Sequence, residues 1–349
     1  MSNNSSGVDL SCFTVYDNDG FVAVVAVRVA LSIISILCCL GMLLIILLFK
    51  KYLFFAQRLI AYLAIATLAY SVVSAINVEG YKAYRNDAIK GYCVFTGLLE
   101  QVVSWWVLLA ISCIVFDLFV KIMLKRETER FEWVYIIVTL VTPLITAWIP
   151  FINLAYGSSG AWCWIRGNDY DDCSSFTFGV VLRFVLYYAP FYILMCALLI
   201  ALVIVFVRLR KQRRSWTGNF DPTVLALKKK MSQEVFPLIS YPIIFLVINI
   251  IPLILRIVNA VKSNEPIIAL WFLSTIVFSL QGAVVMLAFA LDPETRRNLA
   301  PMQLLGAIKR QVTREGQVNE YEMGDDNEGE PEVVNSTSIS FPSYPDEDQ

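Results

Sequence analysis

The sequence predicts an all-α integral membrane protein, a seven-transmembrane-helix bundle with a short amphipathic eighth helix. Two observations carry this. Seven apolar runs, each long enough to cross the ~30 Å hydrocarbon core of a bilayer, are separated by short polar segments. Lysine and arginine are also divided unequally between alternate segments. A composition 58% hydrophobic and only 16% charged, with a mean hydropathy of +0.64, excludes an ordinary soluble domain. The net charge of −1 says nothing about partners, because the cations sit between the apolar runs and the acids collect near the C-terminus.

The runs are residues 21–49, 59–78, 93–120, 133–154, 176–207, 235–261 and 266–291. The first has no Lys or Arg before it and is too long for a signal-peptide core, so it reads as an uncleaved anchor. The third, extended to Lys121, makes a helix of roughly 40 Å at about 1.5 Å per residue. Pro143 and Pro150 fall in the fourth, Pro190 in the fifth, and Pro237, Pro242 and Pro252 in the sixth. Three prolines make the sixth the expected hinge, although prolines are also common in membrane helices without moving. An odd number of spans places the termini on opposite sides. Twenty Lys and Arg flank the spans on one side and five on the other, which puts the N-terminus outside. The expected order is an extracellular N-terminus over 1–20, the bundle over 21–291, a cytoplasmic amphipathic helix over 292–310 and a disordered acidic tail over 311–349.

The amphipathic helix is expected from Asp292 and Pro293 as cap and first turn, followed by Leu299, Met302, Leu305 and Ile308 at helical spacing. The tail carries Glu320, Glu322, Asp325, Asp326, Glu328, Glu330 and Glu332 ahead of several serines. It reads either as a regulatory segment for kinases and arrestin-like proteins or as a solvating tail. At the other terminus, Asn3 and Asn4 open overlapping glycosylation sequons.

Charges inside the membrane are costly without a partner. Arg28, Glu100, Arg183 and Arg256 fall at similar depth from the outer side, with Gln101 and Ser104 beside Glu100 and Glu79 closing the second run. Two readings are open. One is a polar cavity facing outward with cations in excess, suited to a ligand bearing a carboxylate or phosphate. The other is structural: Arg28 and Arg256 snorkel to the headgroups while Arg183 pairs with Glu100. Trp162 and Trp164 flank Cys163 in the loop after the fourth run, either as a lid over that cavity or as a packed structural loop. Cys12, Cys93, Cys163 and Cys173 lie in or beside polar segments, which leaves three disulfide connectivities. On the inner side, Asp117 and Lys121 end the third run, Arg208, Arg210 and Lys211 continue the fifth, and Lys228, Lys229 and Lys230 precede the sixth. This basic rim suits anionic lipid or an acidic partner, and positive-inside topology alone also generates it.

Catalysis finds no residues to use. The chain has no histidine, which removes His-based general catalysis and His-containing metal sites, and it carries no phosphate loop or nucleophile elbow. No enzyme activity, metal or other cofactor is expected, nor any nucleic-acid partner. The seventh run has no lysine, so a retinal Schiff base at the usual place is excluded.

Cys93 at the top of the third helix, the loop Gly160-Ala161-Trp162-Cys163-Trp164-Ile165, and Leu280-Gln281-Gly282 in the seventh together resemble the cyclic-AMP-receptor-like and secretin-like seven-helix G-protein-coupled receptors. The resemblance covers roughly residues 21–310. It implies a Cys93–Cys163 bridge, and by arithmetic leaves Cys12 and Cys173 to pair. It also implies a plasma-membrane receptor that passes an extracellular signal to a heterotrimeric G protein through an inner surface including Asp117, Lys121, Arg208 to Arg214 and Lys228 to Lys230. The short N-terminus departs from the peptide-capturing ectodomain of hormone receptors, and Asp117-Leu118-Phe119 departs from the Asp-Arg-Tyr of rhodopsin-like ones. A transporter or channel, and a seven-helix scaffold that does not couple to G proteins, are the rival readings. A transporter predicts paired halves with midplane charges, which the sequence does not display.

Overall fold

The computed structural model describes residues 19–78, 87–124, 126, 128–159, 162–167, 176–215, 236–261, 268–292 and 295–296. Its seven rods follow the seven runs. They are α1 (Asp19–Leu48), α2 (Phe55–Ile76), α3 (Asp87–Phe119), α4 (Glu132–Trp148), α5, α6 (Phe236–Val261) and α7. α5 consists of Thr177–Arg183 and Ala189–Ser215 joined by a π turn, Phe184–Tyr188; α7 consists of Ile268–Ser279 and Gln281–Leu291. Between α4 and α5 a small antiparallel hairpin, β1 (Tyr156–Ser158) and β2 (Cys163–Ile165), pairs Gly157 with Trp164. The hairpin is the one departure from all-α architecture among the described residues.

Five helical spans are individually long and apolar enough to cross a membrane, and the two halves of α7 taken together make a sixth. α6 completes the bundle with a shorter apolar stretch, Leu238–Pro252. The protein is therefore a multi-pass membrane protein. α3 is the central rod, touching α2, α4, α5, α6 and both strands, and its Leu108, Ile111, Ile114 and Leu118 are almost wholly buried. α4 turns the other way, with Ile145 63% and Trp148 69% exposed. Such an apolar outer wall is a lipid face, where the helix satisfies its own backbone and hydrocarbon replaces water.

The bend expected in α6 lies elsewhere. α6 runs unbroken through Pro242 and Pro252, whereas α7, which holds no proline inside it, bends by 48° between Ser279 and Gln281. The cause is a side chain inserted into the helical ladder. The Ser35 hydroxyl on α1 donates to the Ser279 carbonyl (2.5 Å) and accepts from the Ala283 amide (3.3 Å). Gly282 lets α1 come this close, since a Cβ there would lie 2.7 Å from Cys39 Sγ and 3.2 Å from Ser35 Cβ. Small residues at the crossing are how membrane helices approach without a hydrophobic driving force.

Beyond α7, Asp292 Oδ2 accepts from the amide (3.2 Å) and the hydroxyl (3.0 Å) of Thr295, and its carbonyl accepts from the Arg296 amide. Asp292 thus has the bonding pattern of a helix N-cap. The rest of the expected eighth helix and the tail lie outside the described residues.

Candidate functional site

The hairpin is fastened to the ends of two helices. A disulfide joins Cys93 to Cys163, with Cα atoms 5.1 Å apart across 70 residues of chain. In the loop-entropy account a cross-link of that span stabilises by about 4 kcal/mol. One turn further along α3, a Cβ on Gly97 would lie 3.2 Å from the Trp164 backbone, so the strand rests directly on the helix. At the end of α2, Asn77 acts as a short piece of neighbouring strand. Its Oδ1 accepts from the Cys163 amide (2.8 Å) and its Nδ2 donates to the Cys163 carbonyl (2.9 Å).

Asn77 also reaches the charged centre below the hairpin, donating to Glu100 Oε2 at 3.1 Å. Glu100 accepts Arg28 Nη2 on both oxygens at 3.0 Å, and Arg28 Nε donates to Ser74 Oγ at 2.9 Å. The guanidinium lies 4.8 Å from the centre of the Trp162 ring. Arg28 and Glu100 are 5% and 7% exposed, so each charge depends on the other for its place in a low-dielectric interior. Glu100 is thus paired with Arg28 from α1, not with Arg183. Arg183 instead donates Nε to the Ile165 carbonyl at 2.6 Å, with its guanidinium 5.8 Å from the Trp164 ring and packed beneath Gly167. Gln101 holds Trp164 from the helix side by accepting the indole N–H at 2.7 Å. Both tryptophans are therefore packed structural residues that also roof a space.

That space leaves about 80 Å³ for the centres of water-sized molecules, room for several waters or a small ring. Six of the seven helices line it: Arg28 comes from α1, Ser74 from α2, Glu100 and Ser104 from α3, Tyr187 and Phe191 from α5, Asn249 from α6, and Thr275 and Gln281 from α7. The α5 wall is a product of its π turn. The Ala189 amide bonds to the Phe184 carbonyl five residues back, and Pro190, next in the chain, has no N–H to offer the ladder. The wider turn directs Tyr187 and Tyr188 to the cavity together. Tyr187 stacks on Phe191 (5.6 Å) and Tyr188 on Tyr192 (6.3 Å), while Trp164 meets both tyrosines edge to face. Single-turn π segments of this kind recur at functional sites.

The opposite end carries a second polar group. Asp117 is fully buried; it accepts a hydrogen bond from Thr128 and lies 3.0 Å from Lys121 Nζ, which sits 5.0 Å from the Phe55 ring. In this packing Asp117 offers no surface to a partner. Next to it, Arg58 bridges Glu129 (2.5 Å) and Glu132 (3.2 Å), and Tyr62 donates to Glu132. Lys51, 4% exposed, donates to Thr295 at 2.8 Å and lies 5.4 Å from the Phe289 ring, tying the α1–α2 turn to the segment after α7. Arg208 and Arg210 stand exposed at the end of α5.

Glu79, Cys12, Cys173, Asn3, Asn4, Lys228, Lys229 and Lys230 lie outside the described residues, as do the side chains of Arg256 and Lys211. Asn77, Ser74 and Thr275 were not singled out by sequence reasoning, in which Tyr187 and Tyr188 figure only among the aromatics of the helices and outer loop and not as a cavity wall. The available signals were an amide closing the second apolar run and the aromatic cluster around Pro190.

Residues 17–293 match the slime mold cyclic AMP receptor family. A curated relative, cyclic AMP receptor 2 of Dictyostelium discoideum, is 26% identical over 211 residues, which cover 59% of this chain and 50% of the relative. The chain thus spans about half the length of that relative. Among solved structures, squid rhodopsin is similar with a TM-score of 0.60 at 14% identity, over 88% of this chain and 89% of that one, a likeness of fold alone. With a seven-helix bundle, a hairpin bridged to its central helix and a family match across nearly the whole described region, the chain belongs to the slime mold cyclic AMP receptor family.

Proposed function

We propose that the chain is a cell-surface receptor that takes a small molecule in the cavity under the hairpin and signals to a heterotrimeric G protein at the opposite end. One observation carries this reading: six helices meet in one cavity. An occupant touching six rods has different contacts in every packing of those rods, and a ligand shifts a conformational equilibrium only through such a difference in affinity.

The cation count supports an extracellular N-terminus, with the hairpin outside and the Asp117 end inside the cell, at the plasma membrane. In that orientation Asn3 and Asn4 are available for glycosylation, the segment 292–310 lies along the inner leaflet, and 311–349 is a cytoplasmic tail open to kinases and arrestin-like proteins. Cys12 and Cys173 then share the oxidising side. Arg208, Arg210, Lys211 and Lys228 to Lys230 form a basic inner rim for the G protein or anionic headgroups. Asp117 enters as the catch that holds Lys121 and Thr128, and it bears on the partner only through them.

The name of the curated relative makes cyclic AMP a compound to test. The expectation of an anionic ligand rests on an excess of cations, and among the described residues the cavity wall holds one cation and one anion, paired with each other. The test of the receptor reading needs no ligand. Guanine-nucleotide exchange is measured on a panel of purified G proteins with the full chain in nanodiscs. Exchange above empty discs, raised severalfold by Asp117→Asn, is expected. Exchange equal to empty discs for both proteins, across the panel, overturns the coupling.

A further inference from the structure

Resting on the receptor reading of the same cavity, we infer that Thr275 is a ligand contact: its hydroxyl forms a hydrogen bond with a polar atom of the small molecule and selects for ligands that carry such an atom. The ground is a bond this hydroxyl leaves unmade. In a membrane helix a threonine hydroxyl has a partner at hand in the carbonyl one turn earlier. Thr67, Thr96, Thr139 and Thr146 all use it, each donating to the carbonyl four residues back at 2.9, 3.0, 2.8 and 3.2 Å respectively. Thr275, 3% exposed and part of the cavity wall, makes no such bond and has no other hydrogen-bond partner among the described residues. A buried hydroxyl left so is costly, and it retains its whole capacity to donate and accept.

Other polar groups of the wall have protein partners. Ser74 accepts from Arg28 and Ser32, Glu100 accepts from Arg28 and Asn77, and Asn249 donates Nδ2 to the Phe245 carbonyl at 2.8 Å. In mostly apolar sites a few placed polar groups fix orientation and specificity. A site with a group prepared to bond a ligand atom rejects the analogue that lacks it. The contact sets no condition on the ligand's charge, which is met elsewhere in the wall, where Arg28 and Glu100 stand. On α7 the wall includes Thr275 and Ser279 before the bend and Gln281 after it. A bond at Thr275 therefore fastens the ligand to the half of α7 that precedes the bend.

Cyclic AMP, as the tritiated compound, is the probe, titrated onto the full chain in nanodiscs. Thr275→Val keeps the shape of the side chain and removes the hydroxyl. It is expected to weaken binding at least about fivefold, and Thr275→Ser to restore most of the affinity. Equal affinity of the Val variant and the wild type overturns the contact. Thermal unfolding without ligand separates a structural role. The Val variant, freed of an unpaired buried hydroxyl, is expected to be at least as stable as the wild type, and a clear loss of stability overturns the proposal. Should cyclic AMP not saturate the wild type, Thr275→Cys and a small aqueous methanethiosulfonate decide the matter. Labelling beyond that of the wild type's own cysteines supports a side chain open to a ligand, and its absence overturns the contact. None of these results bears on basal nucleotide exchange, so the receptor reading stands or falls separately.

Discussion

At the hairpin end, Arg28, Glu100, Asn77 and Ser74 come from three helices, are 7% exposed or less, and are backed by a disulfide. At the opposite end the outer pair, Arg58 and Glu129, is 28% and 56% exposed by side chain, and no disulfide reinforces it among the described residues. The same kinds of ionic contact thus have different consequences. A buried pair that loses one member strands a charge, whereas an exposed pair exchanges its partner for water at small cost. The hairpin end is held by buried contacts throughout, whereas the opposite end surrounds the buried Asp117 with pairs that face solvent.

The largest expected effect tests this contrast directly. Glu100→Ala is expected to destabilise by about 3–5 kcal/mol through the stranded Arg28, while Arg28→Met with Glu100→Met recovers most of it. Thermal unfolding in nanodiscs of the wild type, Arg28→Met, Glu100→Met and the double Met variant, analysed as a double-mutant cycle, measures the coupling. Additive losses would show the knot to be a set of independent contacts. Next comes the bridge: Cys93→Ser or Cys163→Ser should each cost about 2–5 kcal/mol, and the double change little more. Gly282→Val, which forces a branched side chain against Cys39 and Ser35, should cost about 1–3 kcal/mol and reduce the bend of α7. The smallest effect belongs to the opposite end. Arg58→Ala should change stability by less than about 1 kcal/mol; a loss as large as that of Glu100→Ala would erase the distinction between the two ends.

The seven rods are legible in the sequence because apolar length is a local property and the bilayer demands it. What decides the geometry of α7 is not local. Ser35 and Ser279 lie 244 residues apart, and nothing around either announces that one interrupts the backbone of the other. The prolines of α6 are conspicuous, yet the helix accommodates them without a break. The charged centre divides similarly. Arg28, Glu100 and Arg183 are visible as membrane-depth charges, but partner choice depends on how each helix is rotated, so Arg28 and Arg183 cannot be told apart as mates for Glu100 by counting. The α5 tyrosines could be counted, but not the extra residue in the turn that brings them round together.

The Ser35 contact has a kinetic consequence. Within hydrocarbon no water is at hand to take over from a withdrawn hydroxyl, and each backbone group left bare costs several kcal/mol. The Ser279 carbonyl and the Ala283 amide, four residues apart, have two ways to be satisfied: through Ser35 while α7 is bent, or on each other as an ordinary helical bond once α7 is straight and Ser35 has withdrawn. Geometries between the two leave both groups bare and are penalised, so the Ser35 contact favours two discrete shapes of α7 over a continuum.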